Sequence, residues 1–232
     1  MFVESVIAID GPSGSGKSTL AKKLADALNL LYIDTGSMFR GLAFKAHQKG
    51  IPFEESAELR EFLQTLRLDY TYNSSVNLRV DGEDVTAVIR EHHVSKLASI
   101  ASQLPSVRKF LLDYQRSLAK EKVCVMEGRD IGTVVFPKAF CKFFISASVE
   151  ERARRRWDQL QAQSEGPVPE LEQVKLDVKK RDESDMNRSE APLKQAIDAI
   201  YIDSSELDLD QVLALLERTA RERAQNTGVS LT

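Results

Sequence analysis

The sequence has 232 residues, of which 42% are hydrophobic and 29% charged, and its formal net charge at neutral pH is -3. These values are ordinary for a soluble globular protein, and the slightly negative charge argues against general binding of nucleic acid. No apolar run approaches the length of a membrane span, and the N-terminus lacks both a basic region and an apolar signal core. We therefore expect a cytoplasmic protein that does not bind a membrane.

The first predicted strand leads directly into a glycine-rich loop. Residues 5–10 form a short apolar, β-branched run that predicts a buried strand, and residues 19–29 carry apolar side chains at helical spacing. Between them, residues 11–18 fit the P-loop pattern G-x-x-x-x-G-K-[ST]. Glycines allow several backbone N–H groups to converge, and the following helix N-terminus adds a partial positive charge. The segment therefore predicts a phosphate-binding site.

Two side chains in this loop indicate what it binds. Lys17 can bridge the β- and γ-phosphates of a nucleotide, and the Ser18 hydroxyl can bind Mg²⁺. The alternative is a glycine turn that binds nothing, which the motif together with its flanking elements disfavours.

Strands and helices alternate along the rest of the chain, with one interruption. The further strands are predicted at residues 30–34, 123–127, 139–146 and 199–203. The helices are predicted at residues 37–49, 54–66, 86–122 with a break near Pro105, from 149, 171–189 and 209–223. Alternating polar and apolar residues between about 66 and 85 predict an inserted antiparallel hairpin or meander. Residues 161–170 are predicted to form a loop, and residues 224–232 to be frayed.

This alternation predicts an α/β protein with a five-stranded parallel sheet covered on both faces, the three-layer P-loop fold. Ligands of such sheets bind at the carboxyl ends of the strands. Polar segments follow three of the predicted strands, at residues 11–18, 34–36 and 128–130. We therefore expect one rim of the sheet to hold the site.

Three further groups of residues are candidates for phosphate chemistry. Glu127 can act on Mg²⁺ or its waters and Arg129 can hold a phosphate, although a strand-end turn with a surface ion pair is the simpler alternative. The other two groups lie on predicted helices.

Arg152, Arg155 and Arg156 share one helical face, where clustered guanidinium groups would suit polyphosphate. The following loop makes this helix a candidate lid, with a solvated charged face as the alternative. The set Arg181, Asp185 and Arg188 has i, i+4, i+7 spacing, which predicts one helical face that could grip a sugar hydroxyl and a phosphate. Surface salt bridges are the alternative for these three residues.

If the protein transfers a phosphoryl group, two absent features indicate which molecule accepts it. No guanine-reading Asn-Lys-x-Asp motif is present, and no general base is evident beside the arginines. An alcohol acceptor benefits from a base, whereas a phosphate monoester is largely dianionic at pH 7 and does not. The pattern therefore favours a nucleoside monophosphate as nucleophile.

The chain resembles bacterial cytidylate kinases along nearly its whole length. The resemblance rests on residues 9–19, 32–36, 127–137, 150–156 and 181–193, of which the runs at 128–137 and 181–193 are the most specific. The inserted hairpin also matches the family. Phe39 departs from the pattern, because many relatives have tyrosine there.

The resemblance implies transfer of the ATP γ-phosphoryl group to CMP or dCMP with Mg²⁺, in pyrimidine nucleotide metabolism. It implies a monomer built on one P-loop kinase domain, with a monophosphate-binding insertion at about 37–110 and a lid at about 152–170. UMP as acceptor and a regulatory module without turnover remain the alternatives.

The resemblance also implies a role for each site residue. ATP would be bound by Gly11, Pro12, Ser13, Gly14, Ser15, Gly16, Lys17, Ser18, Thr19 and Arg155. Ser18 would also bind the metal ion. The acceptor phosphate would be bound by Thr35, Arg40, Arg129 and Arg188, the ribose by Arg181 and Asp185, and the cytosine by Ser102, Arg108 and Asp130. The catalytic residues would be Lys17, Arg129, Arg156 and Arg188. A carboxylate at Asp130 suits cytosine because it can accept from the N4 amine.

Cysteine and histidine residues suggest no further chemistry. Cys124 and Cys141 fall in predicted buried strands, where a reduced thiol is expected. His92 and His93 have no further ligand at a metal-site spacing and are predicted to be ordinary helix residues.

Overall fold

The structure is a computed structural model that describes residues 3–163 and 168–231. The predicted loop at residues 161–170 therefore lies partly outside the described residues, as does the end of the predicted C-terminal tail.

The elements alternate in the predicted manner. They are β1 (Glu4–Asp10), α1 (Lys17–Leu28), β2 (Leu31–Asp34), α2 (Thr35–Gln48), α3 (Ala57–Thr65), β3 (Leu68–Tyr72), β4 (Val76–Val80), β5 (Glu83–Asp84), α4 (His92–Ala101), α5 (Pro105–Leu118), β6 (Cys124–Gly128), β7 (Ala139–Ser146), α6 (Val149–Gln163), α7 (Leu171–Asn187), β8 (Ile200–Asp203) and α8 (Leu209–Thr227). A short 3₁₀ turn lies at Val88–Arg90 and a π-helical turn at Ile131–Val135.

The chain divides into two compact units, Met1–Tyr32 with Glu121–Thr232, and Ile33–Lys120. Among the described residues, five strands form one sheet in the order β2-β6-β1-β7-β8. The pairings of β1 with β6 and β7, and of β7 with β8, are parallel. The predicted α/β fold with a five-stranded parallel sheet is therefore confirmed.

The central position of β1 explains its continuous apolar sequence. Residues 6–10 are all buried, since strands lie on both edges of β1 and helix α1 contacts it. Asp10, its last residue, is paired in register with Gly128 at the end of β6. The loops that follow these two strands therefore begin side by side, as the polar strand ends predict.

The second unit contains the predicted antiparallel insertion. Its sheet has the order β3-β4-β5 within the described residues. Helix α2 packs against β4 at Gly41, where a Cβ atom would lie only 2.6 Å from Leu78 Cδ2. A glycine at this position lets the helix approach the strand closely, because any larger side chain would have to displace Leu78.

Several elements differ from the prediction. Helix α6 continues to Gln163 and so includes residues 161–163 of the predicted loop. Helix α8 continues to Thr227, so residues 224–227 are not frayed; Ala224 is buried and Gly228, with φ 74°, caps the helix. Helix α7 ends at Asn187, and Arg188 has the extended backbone conformation φ −64°, ψ 144°. The π-helical turn at Ile131–Val135 has no counterpart in the predicted elements. In the part of the chain that the structure describes, no helix is both long and apolar enough to cross a membrane.

Candidate active site

The glycines of the P-loop are required by close backbone contacts. A Cβ atom on Gly11 would overlap the carbonyl oxygen of Ile145 in β7. Gly14 has φ +79°, and a Cβ there would lie 2.9 Å from the carbonyl oxygen of Arg152 at the start of α6. These backbone positions exclude larger side chains, and the loop is held between β7 and α6.

The loop ends at the N-terminus of α1, which begins at Lys17 after Gly16 in a left-handed conformation. The first turn of α1 contains no acidic residue, so nothing on it opposes an anion. Ser15 Oγ is buried and has no hydrogen-bond partner among the described residues, whereas Ser18 and Thr19 are exposed. Helix N-terminus, glycine backbone and these hydroxyls together fit the phosphates of a nucleotide.

Lys17 is buried beside an acidic residue of the neighbouring strand. Its Nζ lies 3.7 Å from Glu127 Oε2 and 3.4 Å from the carbonyl oxygen of Pro12. Glu127 Oε1 in turn accepts a 3.0 Å hydrogen bond from the Tyr32 hydroxyl. The carboxylate therefore orients the lysine at the P-loop. The sequence indicated Glu127 as a candidate, but its contacts with Lys17 and Tyr32 could not be predicted.

A second buried charge network joins the loop after β6 to the end of α7. Arg129 Nε donates to Asp185 Oδ2 at 2.9 Å. Arg188 lies with NH1 3.6 Å from Asp185 Oδ1 and with NH2 3.6 Å from Asp130 Oδ1. Two arginines and two carboxylates predicted as acceptor residues are thus brought together in one unit.

The prediction that Arg188 shares a helical face with Arg181 and Asp185 is wrong, because α7 ends one residue before Arg188. Arg188 Nε donates to the carbonyl oxygen of Ala191 at 2.8 Å, and this hydrogen bond orients the guanidinium toward Asp185 and Asp130. The arginine reaches Asp185 from an extended segment instead of from the helix surface.

Asp185 is ionised in this network despite its burial. Burial alone would raise its pKa, but the charges of Arg129, Arg181 and Arg188 outweigh that effect and hold the pKa below its usual range. The carboxylate therefore keeps the guanidinium groups together.

The three arginines of α6 have different environments. Arg152 is buried, pairs with Asp182 of α7 at 2.7 Å, and donates from NH1 to the carbonyl oxygen of Ser13 at 3.1 Å. Arg152 thus anchors α6 against the P-loop and α7, in contrast to the predicted role in a lid that binds polyphosphate.

Arg155 and Arg156 are partly exposed. Arg155 donates from NH2 to the carbonyl oxygen of Ser204 at 2.7 Å, and a Cβ on Gly16 would lie 3.6 Å from its NH1 atom. Arg156 donates from NH1 to Gln159 at 2.8 Å on the same helix. Arg155 therefore lies beside the P-loop.

Asp10 is a buried carboxylate that the sequence-based candidates did not include. It is 4% exposed and accepts hydrogen bonds from the N–H groups of Ile131 at 2.8 Å and Gly132 at 2.7 Å. Burial raises the pKa of Asp10 from 3.8 to about 7, although the two N–H groups lower it. An acidic residue ending a buried strand immediately before the P-loop was the only available signal.

The raised pKa predicts a pH-dependent stability. The folded protein retains the Asp10 proton up to about pH 7, whereas the unfolded chain releases it near 3.8. Because the folded state then binds more protons, the contribution of Asp10 to stability is lost as pH rises from about 4 to 7. We expect the unfolding free energy of the wild type, relative to Asp10→Asn, to fall by roughly 2–3 kcal/mol between pH 5 and pH 8 in urea titrations. A difference that does not change with pH would show that Asp10 is ionised throughout.

In the second unit, taken by itself, two of the predicted acceptor residues lie at the start of α2. Asp34 caps the helix by accepting from the Ser37 N–H at 3.0 Å, and its other oxygen pairs with Arg40 NH2 at 3.0 Å. A Cβ on Gly36 would lie 3.0 Å from Arg40 NH1, so the guanidinium lies close over the first turn. Thr35 is the first residue of the helix and is buried. Helix N-terminus, hydroxyl and arginine together suit a phosphate.

Ser102 and Arg108, predicted as base-reading residues, are also adjacent within this unit. Arg108 NH1 donates to the carbonyl oxygen of Ser102 at 3.4 Å. The Arg108 guanidinium lies 5.6 Å from the centre of the Phe39 ring. Phe39 is therefore a cation–π partner of Arg108.

The sequence profile of the cytidylate kinase family matches residues 7–222. A cytidylate kinase from Geobacter sulfurreducens is 46% identical over 223 residues, covering 96% of this chain and 95% of the relative. The chain belongs to the cytidylate kinase family. Cytidylate kinases from Geobacter sp. strain M21 and from Halalkalibacterium halodurans are 45% and 43% identical, each covering 94% of this chain.

The cysteine and histidine residues discussed in the sequence analysis take no part in the candidate site. Cys124 and Cys141 are buried free thiols, and burial raises the pKa of each to about 12, so both are inert packing residues. His93 lies 3.3 Å from Glu91 on the protein surface. Across residues 3–163 and 168–231, no group of three or more His, Cys, Asp or Glu side chains could hold a metal ion.

Proposed function

We propose that the protein is a cytidylate kinase that transfers the γ-phosphoryl group of ATP to CMP or dCMP. The observation that carries this conclusion is the family match over residues 7–222, with relatives of 41–46% identity along nearly the whole chain. Two structural features support it: the P-loop suits the phosphates of ATP, and the buried arginine–carboxylate network suits the phosphate of the acceptor.

In this reaction an oxygen of the CMP phosphate attacks the γ-phosphorus of ATP. The bond between that phosphorus and the bridging oxygen breaks, which leaves ADP and gives CDP. The nucleophile is already anionic, so the protein needs to position two phosphates and neutralise charge. Arginine and lysine side chains are suited to both tasks.

On the donor side, residues 11–19 would bind ATP with Arg155. The buried Ser15 hydroxyl and the glycine backbone fit a polyphosphate chain, and Lys17 would neutralise charge that develops during transfer. For Mg²⁺, the fitting donors are oxygen atoms: the Ser18 hydroxyl, with Glu127 able to accept from a metal-bound water. When bound, Mg²⁺ would supply further charge neutralisation.

On the acceptor side, we assign the phosphate to Thr35, Arg40, Arg129 and Arg188. Arg181 and Asp185 would contact the ribose. The cytosine would be read by Ser102, Arg108 and Asp130, because a carboxylate accepts from the N4 amine of cytosine but not from the O4 atom of uracil. Arg156 would stabilise the transferring phosphoryl group from the lid.

The alternatives are less well supported. UMP as preferred acceptor is not favoured, because the matched relatives are named cytidylate kinases. A regulatory module without turnover has no use for the clustered arginines of the acceptor side. We also propose a monomer in the cytoplasm that binds no nucleic acid, in keeping with the net charge of -3.

An acceptor panel tests the proposal. ADP release is measured for the wild type with ATP, Mg²⁺ and, in turn, CMP, dCMP, UMP, AMP, GMP and shikimate. We expect CMP and dCMP to be phosphorylated at least about tenfold more efficiently than any other acceptor, since one unsatisfied polar contact to the base costs about 1–3 kcal/mol. A higher kcat/KM for UMP would refute the specificity, and ATP binding without any product would favour the regulatory module.

A further inference from the structure

One carboxylate connects β1, the strand before the P-loop, to the loop after β6 that carries Arg129 and Asp130. Asp10 is the last residue of β1 and directly precedes Gly11, the first glycine of the P-loop. Its two oxygens accept from the N–H groups of Ile131 and Gly132, the first two residues of the π-helical turn that follows Asp130. The side chain therefore reaches across from β1 to the chain beyond the end of β6.

The geometry matches a carboxylate better than any neutral side chain. Two N–H donors face two separate oxygens at 2.8 and 2.7 Å, and each oxygen accepts one bond. Asparagine has only one oxygen, so its NH₂ group would face the second N–H and leave that donor unsatisfied.

Burying a charged carboxylate costs free energy, so its presence here indicates that the charge has a role in the protein. Asp10 is buried away from solvent, and the charged groups that act on it are Asp130, which raises its pKa, and Arg129, which lowers it. The Lys142 side chain packs on the same turn, since a Cβ on Gly132 would lie 3.1 Å from Lys142 Cδ. A neutral residue would avoid the desolvation of a charge.

We propose that Asp10 is a positioning residue, which holds the segment carrying Arg129 and Asp130 in register with the P-loop. The inference rests on the proposed function, because these two residues are assigned there to the phosphate and the base of the acceptor. Asp10 itself touches neither substrate; it acts through the backbone of residues 131 and 132. Loss of one of its hydrogen bonds would loosen the acceptor side and leave the P-loop glycines unchanged.

The test compares Asp10→Asn with wild type at pH 8, where Asp10 is ionised. We expect KM for CMP to rise and kcat to fall, with kcat/KM reduced at least about tenfold, while KM for ATP changes less than twofold. The matched control is Asp203→Asn at the end of β8, where an exposed carboxylate accepts from the N–H of Ser205 at 2.9 Å. Kinetic constants for Asp10→Asn within twofold of the wild type, or equal losses for CMP and ATP, would overturn the proposal.

Amide hydrogen exchange of the nucleotide-free wild type gives a second measurement, which does not depend on catalysis or on the folding of a variant. Because burial raises the pKa of Asp10, opening that exposes this carboxyl becomes easier as pH rises, so the protection factors of the Ile131 and Gly132 amides should decrease together between about pH 4 and pH 7. Protection that does not depend on pH would contradict the anchoring role. An inactive wild type with the expected exchange behaviour would refute the proposed function alone.

Discussion

Arg188→Ala is expected to reduce kcat/KM for CMP by roughly 10²-fold or more while ATP affinity changes little. The guanidinium is buried between Asp130 and Asp185, at 3.6 Å from each. In the proposed complex it donates charge-assisted hydrogen bonds to the CMP phosphate, each contributing about 1.5–3 kcal/mol. Steady-state kinetics with each substrate varied in turn, together with ATP binding by calorimetry, would measure the two effects separately.

The variant also removes positive charge from a buried acidic pair, so its stability must be measured alongside. Arg129 still pairs with Asp185 at 2.9 Å, and this ion pair limits the loss of stability. Arg188→Lys retains the charge without the planar fork and should recover stability more than CMP affinity. Arg221→Ala, which removes an exposed arginine paired with Glu217 on α8, is the matched control and should behave as wild type. Equal losses of CMP and ATP affinity in Arg188→Ala would show that the arginine is structural.

Lys17→Met is expected to lower kcat by about 10²–10³-fold in a protein that remains folded. The ammonium group lies at the P-loop beside Glu127 and the carbonyl oxygen of Pro12, where the β- and γ-phosphates are expected to bind. Methionine retains most of the buried aliphatic stem, so the main loss is a charge that stabilises the transition state. Single-turnover measurements at saturating ATP and CMP would report the chemical step directly.

The control for this variant lies on the same helix. Lys23 pairs with Asp210 at 3.2 Å and is largely exposed, so Lys23→Met removes a lysine from α1 without approaching the P-loop. The melting temperature of Lys17→Met must exceed the assay temperature, since Glu127 loses a buried cation although Tyr32 still donates to it. A folded Lys17→Met with kcat within threefold of the wild type would contradict the assigned role.

Much of the fold was predictable because its signals are local. The apolar run of β1, the glycine pattern after it and the polar–apolar alternation of the insertion each lie within a few residues. Short-range patterns such as these report backbone conformation and burial directly. The boundaries were less predictable: α8 extends past Arg223 because Ala224 is buried against the core, which is a tertiary contact.

The candidate site was predictable in its members but only partly in its geometry. Helical spacing placed Arg188 on α7, yet the helix ends before it, and its side chain returns to Asp185 from an extended segment. The same spacing grouped Arg152 with Arg155, but Arg152 is buried in an ion pair with Asp182. Spacing describes one helix in isolation, whereas burial depends on the element that packs against it.

By itself, the sequence determined that this protein has a P-loop, a parallel α/β sheet and the motifs of a cytidylate kinase, because each can be recognised from short continuous segments. Only the tertiary structure decided which charges meet. Asp10 and Ile131 are 121 residues apart, and Arg129 and Asp185 are 56 apart. The first contact follows from the pairing of β1 with β6 and the second from the position of α7 near the end of β6, and no local pattern specifies either. The P-loop motif therefore predicts where phosphate binds, and the tertiary structure determines which carboxylates and arginines lie together.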